Sequence, residues 1–330
     1  MSATTPTPTH VPHRGATVLW TLAVPAIITL GAAAWAFSVR ARLPEPTAVH
    51  WGSAGPDAAG SFTELVVLPL AVVVPPLAIG MWALATFLGQ SALTRRIATA
   101  VSVWTAAFIS GITLTTVHVQ LDVADWTAAR DLTPGVVVSI VLASALAILA
   151  ARFAPGDAPQ PTTAPPPADA ERIALGEHEH ATWVRSTRQA GLWVLVTLLA
   201  AVVVVVGLAT RNLALACLLA VVLALPVVGM TTWSVTVDQL GLTVTSRLGW
   251  PRLHVPLAEV ESARAREVHP LGEFGGWGVR TSVVTGATSV VLRTGEGIDV
   301  QRTGGRRFVV TVDDAETGAA LLNTLADRSR

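Results

Sequence analysis

The 330-residue sequence has no tyrosine, a single cysteine and few charges of either sign; 13% of its residues are charged, against about 25% in an ordinary soluble domain. One cysteine, Cys217, excludes an intramolecular disulfide and a zinc site built from several thiolates, and its place in an apolar run reads as packing. Lysine is also missing: all 22 basic residues are arginine, and 22 acids cancel them. No net field gathers nucleic acid, and there is no acidic tail. With 52% hydrophobic residues, the composition is that of a membrane protein rather than one soluble globule.

What the chain does contain is six long stretches without an acid or an arginine. They hold 25 residues between Arg14 and Arg40, 30 between Glu64 and Arg95, and 25 between Arg96 and Asp122. Three more hold 20 between Asp131 and Arg152, 22 between Arg188 and Arg211, and 26 between Arg211 and Asp238. A helix needs about 20 mostly apolar residues to cross about 30 Å of hydrocarbon. The pattern therefore predicts six spans, near 17–38, 65–88, 97–117, 134–152, 190–209 and 213–232. The first is longer than the roughly 7–15 apolar residues of a cleaved signal peptide, so it reads as a retained anchor.

Arginines in short flanking segments are kept on the cytoplasmic side. With the N-terminus inside, that side holds Arg14, Arg95, Arg96, Arg152, Arg172, Arg185 and Arg188, while Arg40, Arg42, Arg130 and Arg211 lie outside. Both termini are then cytoplasmic. Trp20, Trp35, Trp82, Trp104 and Trp193 fall near span ends, as rings at headgroup depth do. Pro25, Pro69, Pro75, Pro76 and Pro226 lie inside spans and predict kinks.

The predicted organisation is a cytoplasmic tail over 1–15, a four-span membrane domain over 16–152 with an exported loop at 39–63, and a Pro/Ala-rich linker over 153–188. A two-span hairpin over 189–231 and a cytoplasmic domain over 232–330 follow. In that last domain WSVTV, LTVTSR, RLHV, EVESARA, VRTSVV, TSVVLR, IDVQR and RFVVTV alternate with Gly-rich turns. Such spacing predicts a β-barrel or sandwich. The closing DDAETGAALLNTLADR predicts a helix, with Asp313 and Glu316 as a capping box and Ala315, Ala319, Leu322 and Ala326 on one buried stripe.

Seven antiparallel strands capped by a C-terminal helix are the order of pleckstrin-homology-like domains, and WSVTVDQLGLTVTSRLGWPRLHVPLAEVESA, GGWGVR and GRRFVVTVDDAETGAALLNTL resemble the bacterial version of one over 232–328. The segment LPEPTAVHWGSAGPDAAGSF at 43–62 resembles the exported loop of the N-terminal membrane family of unknown function in SdpI-type immunity and signalling proteins. Leu43, Pro44, His50, Gly55, Pro56 and Asp57 match its pattern, and the likeness covers 16–152. It implies a bacterial cell membrane, which also suits an arginine-only set of basic residues. The chain departs from SdpI-type proteins in carrying the pleckstrin-like domain where they carry a further membrane domain.

In the exported loop, Gly55-Pro56-Asp57 is a strong turn signal, and His50 and Asp57 are placed to meet across it, with Trp51 on the headgroups. Three readings are open: a recognition epitope, an extracytoplasmic metal site, or a loop packed on helix ends. In Glu177-His178-Glu179-His180 a metal site lacks further ligands, and the segment reads as interfacial, anchored by Trp183. Gly275, Gly276 and Gly278 make a turn rather than a phosphate loop. Arg302, Arg306 and Arg307 form the one compact basic patch of the last domain, a candidate for anionic headgroups or an acidic protein. The six stretches hold no acid or arginine for an ion pathway, and Ser110, Ser139 and Ser144 have no adjacent base. The expected function is therefore a non-enzymatic integral membrane protein without cofactor or metal. It is an envelope sensor, scaffold or immunity-like regulator whose partners are the bilayer and a protein or toxin-like peptide, with a channel or permease subunit as the alternative.

Overall fold

Charge-free stretches become helices because hydrocarbon offers a backbone N–H no partner but a carbonyl of its own segment. The computed structural model describes residues 11–330 other than 53, 90, 177, 190–191, 211–215, 218–219, 222–223, 225–226, 228, 230, 250 and 283–286. Four helices are long and apolar enough to cross a membrane: α1 (Arg14–Ser38), α2 (Thr63–Phe87), α3 (Ala92–His118) and α4 (Thr133–Phe153). A fifth apolar helix, α5 (Leu192–Thr210), stands at the fifth expected span. The sixth, 213–232, lies largely outside the described residues, as does Pro226. Cys217 is described, and its thiol is exposed rather than packed, its neighbour Ala216 being the buried one of the two.

The expected proline kinks take a specific form. Pro25 has no N–H to offer the Thr21 carbonyl. Ser102 of α3 supplies the donor instead, its Oγ donating to Thr21 O at 2.7 Å, and the chain widens into a π-turn over Leu19–Ala23. Similar π-turns, Thr63–Val67 and Pro69–Val73, precede Pro69 and the Pro75-Pro76 pair.

α3 is the hub, packing against α1, α2 and α4. Its buried Ala98, Ser102, Ala106 and Ser110 recur every four residues, the small-residue spacing that lets membrane helices approach closely. The α3–α4 crossing is tight: a Cβ on Gly135 would sit 2.0 Å from Thr115 Cγ2. Ile27, Leu30, Val72, Ile79, Leu142 and Ile148 on the other helices point outward, the arrangement that hydrocarbon favours. At the start of α3, Arg95 is buried, 3% exposed. Its guanidinium donates to Gly89 O at 2.7 Å, Gly156 O at 3.1 Å and Asp157 Oδ1 at 3.1 Å. The same Asp157 oxygen accepts from Ala92 N at 2.8 Å, so the chain just after α4 is tied down.

The chain divides into two compact units, one of residues 10–157 and 203–218, the other of residues 158–202 and 219–330. In the second, every strand expected from the sequence is present: β4 (Thr232–Asp238), β5 (Gly241–Ser246), β6 (Arg252–Pro256), β7 (Val260–Val268), β8 (Gly278–Thr281), β9 (Thr288–Val291), β10 (Gly295–Arg302) and β11 (Arg306–Thr311). One more was not expected. β3 (Trp183–Arg188) pairs antiparallel with β4 along its whole length, Trp183 opposite Val237 and Arg188 opposite Thr232.

The solvated linker predicted over 153–188 is therefore corrected. Its last residues are a sheet strand, and Trp183, expected as an interfacial anchor, is 5% exposed in the β-rich core. Upstream, residues 160–176 lie as a strap on the same unit. Thr162 N donates to Ala258 O at 2.7 Å, Ile173 N to Thr324 Oγ1 at 2.9 Å, and Arg172 Nε to Asp327 Oδ2 at 2.5 Å. Prolines without N–H groups need few ladder partners, which suits a strap better than a strand.

The sheets are a four-stranded β3-β4-β5-β6 and a five-stranded β7-β10-β11-β9-β8. Against the all-antiparallel order of the resemblance, β9 and β11 run parallel. Helix α6 (Pro270–Phe274) covers a small apolar cluster of Val268, Phe274, Ala287, Val291 and Val309, and the Gly275–Gly278 segment after it turns as expected, with positive φ at Gly275. Helix α7 (Ala315–Arg328) packs against both sheets, and Ala315, Ala319, Leu322 and Ala326 are all buried on it. Its cap differs from the expected box. Asp313 pairs with Arg293 instead, and Glu296 of β10 accepts from the backbone N–H of Asp314, Ala315 and Glu316 at 3.2, 2.9 and 3.3 Å. A carboxylate there also suits the positive end of the helix dipole.

Candidate functional site

Between α1 and α2 the chain forms a hairpin, β1 (Thr47–Gly52) and β2 (Gly55–Gly60), with Trp51 opposite Pro56 and Gly52 opposite Gly55. Gly55 turns it with φ of 116°, a conformation that side-chain-bearing residues rarely adopt. Two strands alone are marginal in water, so the hairpin needs an external anchor, and Gln120, at the end of α3, supplies it. Fully buried, its amide pairs with Ala48 as a strand neighbour would: Ala48 N donates to Gln120 Oε1 at 2.6 Å, and Gln120 Nε2 donates to Ala48 O at 3.0 Å. The same Nε2 reaches Thr116 O at 2.9 Å. Each buried amide group thus finds a partner.

Further ties surround this one. Arg42 donates from Nε to Asp122 Oδ1 at 3.0 Å and from Nη2 to Oδ2 at 2.5 Å, while Asp122 N donates to Arg42 O at 3.0 Å. These hydrogen bonds hold the Asp122 carboxyl below the ordinary range, with the positive charge of Arg42 adding to them against partial desolvation. The Trp51 indole donates to Arg130 O at 3.1 Å, a fixed contact with the α3–α4 loop. Ser61 and Glu64 cap α2 reciprocally, Ser61 N donating to Glu64 Oε2 at 2.9 Å and Glu64 N to Ser61 Oγ at 3.2 Å.

Of the seven residues singled out in the sequence, Trp51, Gly55 and Pro56 belong to the hairpin turn and its anchor, and the other four separate into two pairs. Pro44 is buried, and Leu43 packs on the cluster of Ala36, Val39, Phe62 and Leu65, so these hold the loop in place. His50 and Asp57 are displayed, with side chains 68% and 52% exposed, and they do meet across the hairpin, His50 Nδ1 lying 2.5 Å from Asp57 Oδ1. At the root of the hairpin, where Thr47 faces Gly60, is a cleft of about 360 Å³ lined by Arg40, Leu43, Glu45, Pro46 and Phe62. Arg40 stacks on the Phe62 ring, 4.9 Å from its centroid, the geometry of a cation–π contact. Sequence reasoning missed Gln120, Arg40 and Glu45, since a single polar residue at a span end reads as a flank.

The basic patch expected at Arg302, Arg306 and Arg307 takes another form. Arg302 and Arg306 both pair with the buried Glu259, and Arg307 pairs with the fully buried Asp299. The three side chains are 12%, 16% and 23% exposed, so their charge is spent within the fold and little is presented to headgroups. Alternation on β11 explains the split, because neighbours on a strand face opposite sides. Asp299 also accepts from Arg266 Nε at 2.9 Å, and Arg266 in turn meets Glu273 at 2.7 Å. Burial alone would raise the Asp299 and Glu259 pKa values; the arginine hydrogen bonds and charges outweigh it and hold both below the ordinary carboxylate range.

Of the Glu177 to His180 cluster, His180 Nδ1 meets the Gln239 amide and Glu179 Oε2 accepts from Gly176 N at 2.9 Å. Among the described residues no group of three or more His, Cys, Asp or Glu side chains is placed to hold a metal ion. Comparison of the chain with known protein families, with curated proteins and with solved structures returns no match in any of the three.

Proposed function

We propose that the protein is a non-enzymatic integral protein of a bacterial cell membrane that recognises a protein partner or toxin-like peptide through the 47–60 hairpin, as an envelope sensor, scaffold or immunity-like regulator. The observation that carries this reading is the preorganised hairpin, clamped by Gln120 and displaying the His50–Asp57 pair to solvent. Fixing a surface before contact lowers the entropy lost on binding. In this reading six spans place both termini in the cytoplasm and the hairpin outside. The pairing of Arg188 with Thr232 supports an even number of crossings, because the chain must leave the sheet and return to it on one side. The order of two sheets and a closing helix supports the pleckstrin-like assignment, and the loop pattern the SdpI-like one.

The test compares display with scaffold in a strain whose deletion of the chain gives an envelope-stress or toxin-sensitivity phenotype. His50→Ala and Asp57→Ala are expected to abolish complementation while membrane abundance on immunoblots stays at the wild-type level. Gln120→Leu leaves the Ala48 N–H and C=O unpaired, at about 1–3 kcal/mol for each, and is expected to lower abundance and complementation together. Full complementation by the His50/Asp57 double variant overturns the hairpin as the functional surface.

A further inference from the structure

The two turns that flank β5 lie at opposite ends of the four-stranded sheet. At one end the β4–β5 turn carries Leu240, 65% exposed. At the other, the β5–β6 turn carries Leu248, 48% exposed, between the exposed Arg247 and Arg252. This second end is where the chain departs for its apolar segments and returns from them. Arg188 ends β3 opposite Thr232, Gln189 N donates to Thr231 O at 3.1 Å, and Arg247 N donates to Thr232 O at 2.9 Å. Leu248 reaches beyond the sheet edge: its Cδ1 lies 3.3 Å from where a Cβ on Gly229 would be. Residue 229 is three positions up the apolar run that enters β4.

We propose that the 247–252 turn is a lipid-contacting foot of the β-rich unit, with Leu248 in the interfacial layer of the bilayer and Arg247 and Arg252 on anionic phosphates of lipid headgroups. The proposal rests on the reading that 189–231 crosses the membrane. If it does, a side chain lying against residue 229 is at the depth where the span leaves hydrocarbon, and an apolar residue flanked by cations has the chemistry of that layer. The lipid contact suggested by sequence for Arg302, Arg306 and Arg307 then belongs to this turn, whose arginines lie at the membrane end of the sheet. Leu240 is an internal control, an equally apolar and more exposed turn residue one strand length away.

The experiment uses the full chain with Cys217→Ala and one nitroxide at a time on Leu248→Cys, Leu240→Cys or Val202→Cys. The protein is reconstituted in vesicles of phosphatidylcholine, with or without phosphatidylglycerol. Collision with oxygen reports lipid, and collision with a water-soluble nickel chelate reports water. The expected result is an oxygen-to-nickel ratio at 248 several-fold above that at 240, rising further with phosphatidylglycerol, and a lipid-like ratio at 202. Arg247→Gln together with Arg252→Gln is expected to remove the phosphatidylglycerol increment. A label at 248 as nickel-accessible as one at 240, with 202 in lipid, overturns the foot alone. Low collision with both reagents at 248 shows burial in protein and overturns it as well, and an unchanged ratio in both lipid mixtures overturns the role of the arginines. Nickel access at 202 overturns the spanning reading, and the foot with it.

Discussion

A chain in which an Asn-Gly turn replaces residues 190–230, joining 158–189 directly to 231–330, is expected to be soluble, β-rich by circular dichroism and cooperative in melting. Residues 232–330 alone are expected to aggregate or melt without a transition. Sequence reasoning takes the shorter fragment as an autonomous domain, and the pairing of β3 with β4 is what argues against that. Gln189 and Thr231 are already joined backbone to backbone, the spacing a two-residue turn closes. Without residues 158–188, β4 loses its neighbour and presents an unpaired edge. The core also loses Trp183, whose ring packs beside Gly318 and whose indole donates to Asp314 Oδ2 at 3.0 Å. Deleting a buried tryptophan side chain costs about 3–5 kcal/mol, a large part of the roughly 5–15 kcal/mol that holds an ordinary domain together. Equal melting of the two fragments by differential scanning calorimetry counts against the strap and β3 as parts of the fold.

Within that excised domain, Asp299→Asn is expected to lower stability by about 3 kcal/mol, since removing one partner strands buried opposite charge, and to lower the melting temperature by roughly 10 °C. Arg307, 23% exposed, then loses its paired carboxylate, and Arg266, 20% exposed, keeps only Glu273 of its two. Asp313→Asn, which breaks an exposed pair with Arg293, is expected to melt like the wild type. The pH dependence has a definite sign. Asp299 and Glu259 titrate lower in the folded chain than unfolded, so their contribution is complete above the ordinary carboxylate value near about 4 and is lost as pH falls through the folded values. Melting temperature should hold from neutral pH down to that value and drop below it, less steeply for Asp299→Asn. A wild-type profile that is flat into strong acid contradicts the buried-carboxylate account.

Much of this architecture is readable from residue order, for physical reasons that also mark where reading stops. Four spans are legible because a charge at bilayer depth is costly, so Arg40, Glu64, Arg96 and Asp131 punctuate the helices. Strands β4 to β11 are legible because β-branched runs alternate with glycine turns. β3 is not, because Trp-Val-Arg-Ser-Thr-Arg buries only Trp183 and Thr187, four apart, and Arg185, on the inward phase of the strand, bonds Asp314 instead. The meeting of His50 and Asp57 is legible since a short turn separates them. Gln120, Glu296 and Glu259 act on partners 18 to 72 residues away along the chain, and nothing local in a single sequence records such a distance. The apparent basic patch fails partly for that reason: Arg302 and Arg306 are neutralised by Glu259, 43 and 47 residues earlier, while Arg307 meets Asp299, eight residues earlier, across the β10–β11 pair.

The position of β3 ahead of the apolar segments also constrains biosynthesis. Arg188 leaves the ribosome roughly forty residues before Thr232, its partner in the finished sheet, an interval of a few seconds at about 5–20 residues per second. If 189–231 crosses the membrane as proposed, a strand with a bare edge and an exposed tryptophan waits on one side of it throughout that interval while the next helices insert. In that reading the sheet closes only after the chain has come back, so insertion of 189–231 precedes completion of the β-rich unit. In the same reading a helix inserted in the wrong sense leaves Trp183 without the core that buries it.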